Sequence, residues 1–317
     1  HVGFVTSVCT YPEYTGQGIM KRLMRQSLDH MRERRQPFAL LFPYSIPLYR
    51  RFGYEIISNK ISYTVKDRQV PTEPRTSGYV RRVPWTSRDF TELHTRFASV
   101  THGCLYRSRL AWEEYWRWDE DDTVVAVYYA ASGEARGYMV YLIKEDVMHI
   151  KEMICLDREA HEGLWGYVRA HDSMIDEVRG NTYNGEPIAF ELDDGDIREV
   201  IRPYIMGRIV DAEQFFAGYA CDPAEDGLRV AFEIEDGFLE YNNRSLTVRF
   251  AHGVCTLTDG APDCTVRLTI ATLTTLLLGY KTAVQLWRLG RIGAELPVAA
   301  RLDDALLHEA PYISDYI

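Results

Sequence analysis

The stretch that most limits what this chain can fold into is residues 2–35, VGFVTSVCTYPEYTGQGIMKRLMRQSLDHMRERR. It opens with an apolar run ending at Cys9, passes a turn-rich segment with glycines at 16 and 18, and then takes up helical spacing. Ile19, Met20, Leu23, Met24, Leu28 and Met31 fall on one stripe of that helix, so the pattern predicts strand, loop and amphipathic helix. A helix start presents amide N–H groups that lack intrahelical partners, together with the positive end of the helix dipole. Glycines ahead of it let a bulky anion approach the backbone. Neither a Walker loop (Gly-x-x-x-x-Gly-Lys-Ser/Thr) nor a dinucleotide fingerprint (Gly-x-Gly-x-x-Gly) is present. The pattern fits an anion held by amides, with Lys21 one turn inside the helix, and it fits equally a tight strand-to-helix turn.

Composition narrows the classes. With 317 residues, 46% hydrophobic and 26% charged, the chain reads as soluble and globular, with room for two or three domains. The net charge of −10 argues against a general nucleic-acid binder and favours cationic partners. The most apolar segment, residues 268–287, is broken by threonines and Lys281, which predicts a buried helix rather than a membrane span. Six cysteines (9, 104, 155, 221, 255 and 264) form no CxxC pair, as expected of reduced thiols in a cytoplasmic protein. In such a setting the Asn-Arg-Ser at 243–245 carries no meaning as a glycosylation acceptor. His1 already lies in a strand pattern, so the chain is expected to lack its natural N-terminus.

Residues 37–65, PFALLFPYSIPLYRRFGYEIISNKISYTV, add a second apolar strand, a short helix carrying Tyr49, and the run RRFGYE. Together with the glycine loop, this segment resembles the GNAT acetyltransferase superfamily over the first 75 or so residues. The resemblance implies that the EYTGQG loop holds the pyrophosphate of acetyl-CoA on helix amides. It also implies that the second strand splays from the first, exposing backbone to the pantetheine arm. Carried over residue by residue, the implied cofactor contacts are Val8, Cys9, Thr10, Gly16, Gln17, Gly18, Ile19, Met20, Lys21, Tyr44 and Ser45. The resemblance covers only the second half of that domain, whose opening strands and helices would lie before His1.

From Gly78 the order starts again. A strand and helix in GYVRRVPWTSRDFTELHTRFAS lead to a helix in SRLAWEEYWRW and three strands in TVVAVYYA, RGYMVYLI and VMHIKEMICLD. A long helix near EAHEGLWGYVRAHDSMIDEV, the segment PIAFEL, a helix at DIREVIRPY and a closing strand in MGRIVDAEQF follow. This resembles a complete GNAT fold. At its own pyrophosphate position, however, the sequence is DREAHEGLW, with Glu159 and Glu162 where the first copy has Gly16 and its neighbours. Carboxylates there repel a diphosphate, so the second copy is expected to be scaffold. Helix packing is expected for the aromatic residues of WEEYWRWDEDD (112–122), with a cation box as the other reading. His161 and His171 have no second ligand at helical spacing, so no metal is expected.

The last hundred residues alternate as antiparallel strands (LRVAFEIED, GFLEYNNRSLTVRFAHGVCTLT, CTVRLTI), then helices ATLTTLLLGYK and TAVQLWRLGRI, then a tail. They resemble the sterol-carrier-protein-like domain. The order of the three modules resembles the Eis (enhanced intracellular survival) family. The expected fold class is therefore α/β (α+β): tandem GNAT folds, the first truncated at its N-terminus, then a sterol-carrier-protein-like domain. The expected boundaries are 1–76, 77–209 and 210–317. The resemblance implies an acetyl-CoA-dependent N-acetyltransferase, without a metal, acting on amines of aminoglycoside-like polycations and on protein lysines. It implies Tyr49 as general acid and the C-terminal carboxylate, here on Ile317, as general base, in a homohexamer built from two trimers. The family often ends in phenylalanine, so Ile317 departs in side chain. YTGQG departs where some members carry an arginine run, which shifts phosphate contacts to the backbone. An internal base such as Glu309 or Asp315 is the alternative to the chain end. The alternative function is a lipid- or ligand-binding protein that uses the sterol-carrier-like domain beside a vestigial GNAT domain. Neither nucleic acid nor membrane is an expected partner.

Overall fold

The computed structural model describes residues 2–72, 76–117, 122–183 and 185–315. In the first segment β1 (Gly3–Val5), α1 (Ile19–Glu33), β2 (Phe38–Leu41), α2 (Ile46–Arg50) and β3 (Glu55–Ile56) follow one another. β1 and β2 are parallel, in register from Gly3 with Ala39 to Val5 with Leu41. α1 buries Met24, Leu28 and Met31, three of the six stripe positions, spaced four and three residues apart. Leu23 is 45% exposed. A helix resting on a single sheet face needs only a narrow apolar stripe, which Leu23 overhangs.

Residues 59–202 supply β4 (Asn59–Lys66), β5 (Tyr79–Val83), α3 (Arg88–Val100), α4 (Arg109–Trp116), β6 (Val124–Tyr129), β7 (Ala135–Lys144), β8 (Val147–Cys155), α5 (Arg158–Arg169), β9 (Glu177–Thr182) and β10 (Arg198–Pro203). They form one seven-stranded sheet in the order β10-β4-β9-β8-β7-β6-β5. The helix expected over DIREVIRPY is the edge strand β10 instead. Its Val200 and Ile201, like Ile197 just before it, are β-branched, and a nine-residue run is too short for periodicity to separate helix from strand.

The third segment holds β11 (Met206–Ile209), α6 (Ala212–Phe216), β12 (Asp226–Glu235), β13 (Arg244–Ala251), β14 (Val254–Leu257), β15 (Cys264–Thr269), α7 (Ile270–Leu277), α8 (Ala283–Arg288) and α9 (Leu296–Ala305). β12 to β14 form the expected antiparallel meander. β15 does not: it crosses to the far edge and runs parallel to β12. Phe216, Phe232, Phe250 and Leu273 fill the space between this sheet and its helices.

The strands do not group as the modules follow in sequence. β4, within residues 1–76, pairs with β9. β11, expected to close the second copy, pairs antiparallel with β2 and β3. The chain accordingly divides into two compact units, residues 1–58 with 203–310 and residues 59–202 with 311–317. Apolar patterning marks a segment as a strand but leaves its ladder partner open, because any apolar face of the right length can receive it.

One buried ion pair joins the GNAT-like and sterol-carrier-like parts of the first unit. Arg208 on β11 is fully buried and pairs with the equally buried Asp236, just past β12. Arg208 also donates to the Phe52 carbonyl. Asp236 accepts the amides of Phe238 (2.9 Å) and Leu239 (3.0 Å) and the Asn242 side-chain amide (2.9 Å). Removing one partner of such a pair strands a charge in the core. Asp236→Ala is expected to lower unfolding stability by about 3–5 kcal/mol, measured by urea denaturation. Arg208→Met with Asp236→Leu should recover much of that loss; a double variant no better than the single one would show that the pair's charges are not what matters.

Candidate functional site

The loop ahead of α1 is built to leave backbone open. Pro12–Tyr14 make a single 3-10 turn, closed by Tyr14 N–H to Tyr11 C=O at 2.9 Å and Thr15 N–H to Pro12 C=O at 3.2 Å. Gly16 (φ +77°) and Gly18 (φ +71°) lie in the left-handed region, where a β-carbon is strained. A β-carbon at either would meet nothing within 4 Å, so packing does not require glycine there. Conformation and open access do.

Gly18 is the residue before the helix and supplies no side-chain cap. The first helical bond is Arg22 N–H to Gly18 C=O, 3.1 Å. The first-turn amides, those of Ile19, Met20 and Lys21, therefore have no intrahelical acceptor. The first turn carries no acidic residue, and Lys21, Arg22 and Arg25 follow within two turns.

α5, at the matching place in the second unit, has its start filled. Asp157 caps it, its Oδ1 accepting Ala160 N–H at 2.9 Å. Arg136 Nη1 sits 3.2 Å from the Asp157 carboxylate and 3.9 Å from that of Glu159. Glu159 also accepts from the Ser77 hydroxyl at 2.6 Å, and Glu162 pairs with Arg158. Where α1 leaves room for an anion, α5 already holds carboxylates of its own. The signal for this was present at Asp157, since aspartate just before a helical pattern is a preferred cap.

Parallel pairing puts the ends of β1 and β2 at the same edge of the first unit's sheet. Their ladder stops at Val5 and Leu41. Beyond it Val8 and Cys9 are exposed and Thr10 half-buried, while Tyr44 is 95% exposed and Ser45 begins α2. Tyr49 follows on α2, 7% exposed, its ring edge-on to Tyr54 at 6.2 Å. Burial raises the Tyr49 phenol above its ordinary value, so the hydroxyl keeps its proton through neutral pH. All the expected contacts from Val8 to Lys21, with Tyr44, Ser45 and Tyr49, thus fall in one unit. Ile317 lies outside the described residues. Of the alternatives to it, Glu309 is exposed and Asp315 is tied into an ion pair with Arg107.

The aromatic helix α4 packs as expected. Trp112 and Trp116 pack on Phe90, at 4.9 and 6.0 Å between ring centres. The same helix also covers two cations: Arg107 lies 4.7 Å from the Trp112 ring and 4.2 Å from Tyr115, and Lys151 3.7 Å from Tyr115. Residues 118–121 of that run lie outside the described residues. Among the described residues no group of three His, Cys, Asp or Glu side chains is arranged to hold a metal. His161 instead meets Glu191 at 3.0 Å, and His171 meets the Tyr167 carbonyl at 2.8 Å.

Comparison with known proteins agrees with this layout. Residues 1–57 and 103–209 match two models of the acetyltransferase (GNAT) domain, and residues 212–314 match a sterol carrier protein domain. An uncharacterized N-acetyltransferase of Streptomyces avermitilis is 24% identical, over 96% of this chain and 77% of its own length. A solved Enterococcus faecalis protein described as a probable N-acyltransferase is 26% identical with a TM-score of 0.92, covering 99% of this chain and 81% of that one. Eis1 from Mycobacterium abscessus, at 21% identity, shares the fold with a TM-score of 0.81 over 99% of this chain and 82% of its own.

Because Asp157 satisfies the start of α5 from within, Asp157→Ala is expected to cost about 1 kcal/mol of stability, read as a lower urea midpoint. An unchanged midpoint would mean that the Asp157 cap contributes nothing.

Proposed function

We propose that this chain, whose residues 1–57 and 103–209 match models of the acetyltransferase (GNAT) domain and 212–314 a sterol carrier protein domain, is an Eis-like enzyme that transfers an acetyl group from acetyl-CoA to primary amines of polycationic small molecules of the aminoglycoside type. Protein lysines are the second acceptor class in this reading. The observation that carries it is the uncapped, glycine-entered start of α1, set against the carboxylate-filled start of α5.

The amides of Ile19, Met20 and Lys21, with the open backbone of Gly16, Gln17 and Gly18, would hold the pyrophosphate. Val8, Cys9, Thr10, Tyr44 and Ser45, past the end of the β1–β2 ladder, would line the pantetheine arm. Bound acetyl-CoA supplies an activated thioester carbonyl. Tyr49, kept protonated by burial, would give its proton to the departing sulfur. The terminal carboxylate of Ile317 would draw an ammonium group in and take its proton, since only the free amine attacks a carbonyl. An α-carboxyl with an ordinary value near 3.5 is a weak base until partial burial raises it. The net charge of −10 suits a cationic acceptor. In this reading the protein is a cytoplasmic homohexamer of two trimers.

The reading is tested by CoA release from acetyl-CoA and kanamycin. Gly16→Asp and Gly18→Asp should each abolish acetyl-CoA binding, because a carboxylate would occupy the anion's place, while Glu162→Gln leaves affinity unchanged. Tyr49→Phe, or one glycine added after Ile317, should spare binding and lower kcat by roughly a hundredfold, as for loss of a general acid or base. Glu162 variants that lose acetyl-CoA while Gly18 variants keep it would reverse the assignment of the two copies. Full activity of the glycine-extended enzyme would remove the chain end as base.

A further inference from the structure

Residues 311–315 form neither helix nor strand, yet each is held within the second unit. Pro311 lies against Gly103, whose φ is +77° and where a β-carbon would collide with it. Tyr312 donates its N–H to the His102 carbonyl at 2.8 Å, and its ring meets Phe97 and Tyr183 edge-on at 5.0 and 5.8 Å. Ile313 is 2% exposed. Ser314 Oγ donates to Glu152 Oε1 at 2.8 Å, and Asp315 Oδ1 accepts from Arg107 Nε at 2.7 Å.

These last two contacts converge on one buried pair. Arg107 binds Glu152 through both terminal nitrogens, at 2.9 and 2.7 Å, and both side chains are essentially sealed from solvent. Tyr138 completes the acceptor set of Glu152 with a 2.7 Å hydrogen bond and itself meets His94 at 3.1 Å. Trp112 and Tyr115 of α4 cover the guanidinium face. Burial by itself would raise the Glu152 carboxyl, but the attraction and hydrogen bonds of Arg107 outweigh it and bring the group down to about 2. The two-nitrogen grip on Glu152 leaves Nε for a third group, and the chain's own Asp315 takes it. If the tail leaves, Arg107 and Glu152 still neutralise each other. The tail can therefore detach without stranding a charge.

We propose that Arg107 and Glu152 form a clasp for the C-terminal segment, gripping it at Ser314 and Asp315, and that they act as positioning residues for the terminal carboxylate. The catalytic half of this proposal rests on the reading of the chain end as base. Extended chain advances at most about 3.6 Å per residue, so two residues beyond a clasped Asp315 the end can range only about 7 Å. Without the clasp the chain from Ser314 onward loses its side-chain anchors, and base geometry tolerates little displacement.

The test uses the full chain carrying Asp315→Ala, and separately Ser314→Ala with Asp315→Ala, which remove the gripped groups but keep the Arg107–Glu152 pair and so should fold. Release of Ile317 by a carboxypeptidase, followed by mass spectrometry, reads the clasp directly. Initial rates with acetyl-CoA and kanamycin read its consequence. The clasp predicts release at least about tenfold faster, as for a locally opened segment. It predicts kcat down at least about tenfold, with KM for acetyl-CoA unchanged, as for a displaced base. Unchanged release in both variants would overturn the clasp, whatever the activity. Faster release with unchanged kcat would overturn the positioning role and, with it, the reading of the chain end as base, while the grip itself would stand.

Discussion

Amide groups at the start of a helix must find acceptors, and how that demand is met separates the two halves of this chain. At α5 the chain answers from within, through Asp157, with Arg136 balancing the local carboxylates. At α1 it supplies no side chain, places Gly16 and Gly18 in a backbone shape that other residues adopt only with strain, and leaves the surrounding space open. A helix start of this kind leaves polar groups and half a positive charge for solvent or an anion to satisfy. Gln17 and Lys21 border that feature in sequence, and Val8 to Thr10 and Tyr49 lie in the same unit.

Much of this first unit was legible because its signals are local. Gly16 and Gly18, the stripe through Met24, Leu28 and Met31, and Tyr49 before RRFGY each depend on neighbours a few residues away. The buried groups that fix the tertiary arrangement are not of that kind. Arg208 and Asp236 are 28 residues apart, and Arg107 and Asp315 are 208 apart. Nothing in the sequence marks which of 36 basic side chains turns inward. The exchange of β4 and β11 was hidden for a related reason: an apolar strand states how much surface it must bury but not against which sheet. The same ambiguity hid β10, read as a helix, and the parallel placement of β15.

The buried ion pairs also show how modules that follow one another in sequence are kept in fixed register. Apolar contacts between β11 and the sterol-carrier-like part could slide, whereas Arg208 fits only where Asp236 and the Phe52 carbonyl meet it. Thr275 adds a directed contact by donating to the Ile56 carbonyl at 2.9 Å, and Arg291 another through Glu55 at 2.6 Å. Directional bonds of this type contribute less to net stability than to selecting one arrangement among several of similar apolar burial. The sterol-carrier-like part is thereby fastened to the strands that carry the open helix start.

The central claim is that, of the two corresponding helix starts, α1 and not α5 binds the acyl donor, because Asp157 caps α5 whereas α1 has no side-chain cap. Isothermal titration of the intact protein with acetyl-CoA tests this most directly, since its stoichiometry counts competent helix starts. One site per chain is the predicted result. Two sites per chain, or a single site that persists when the α1 loop is blocked, would contradict it.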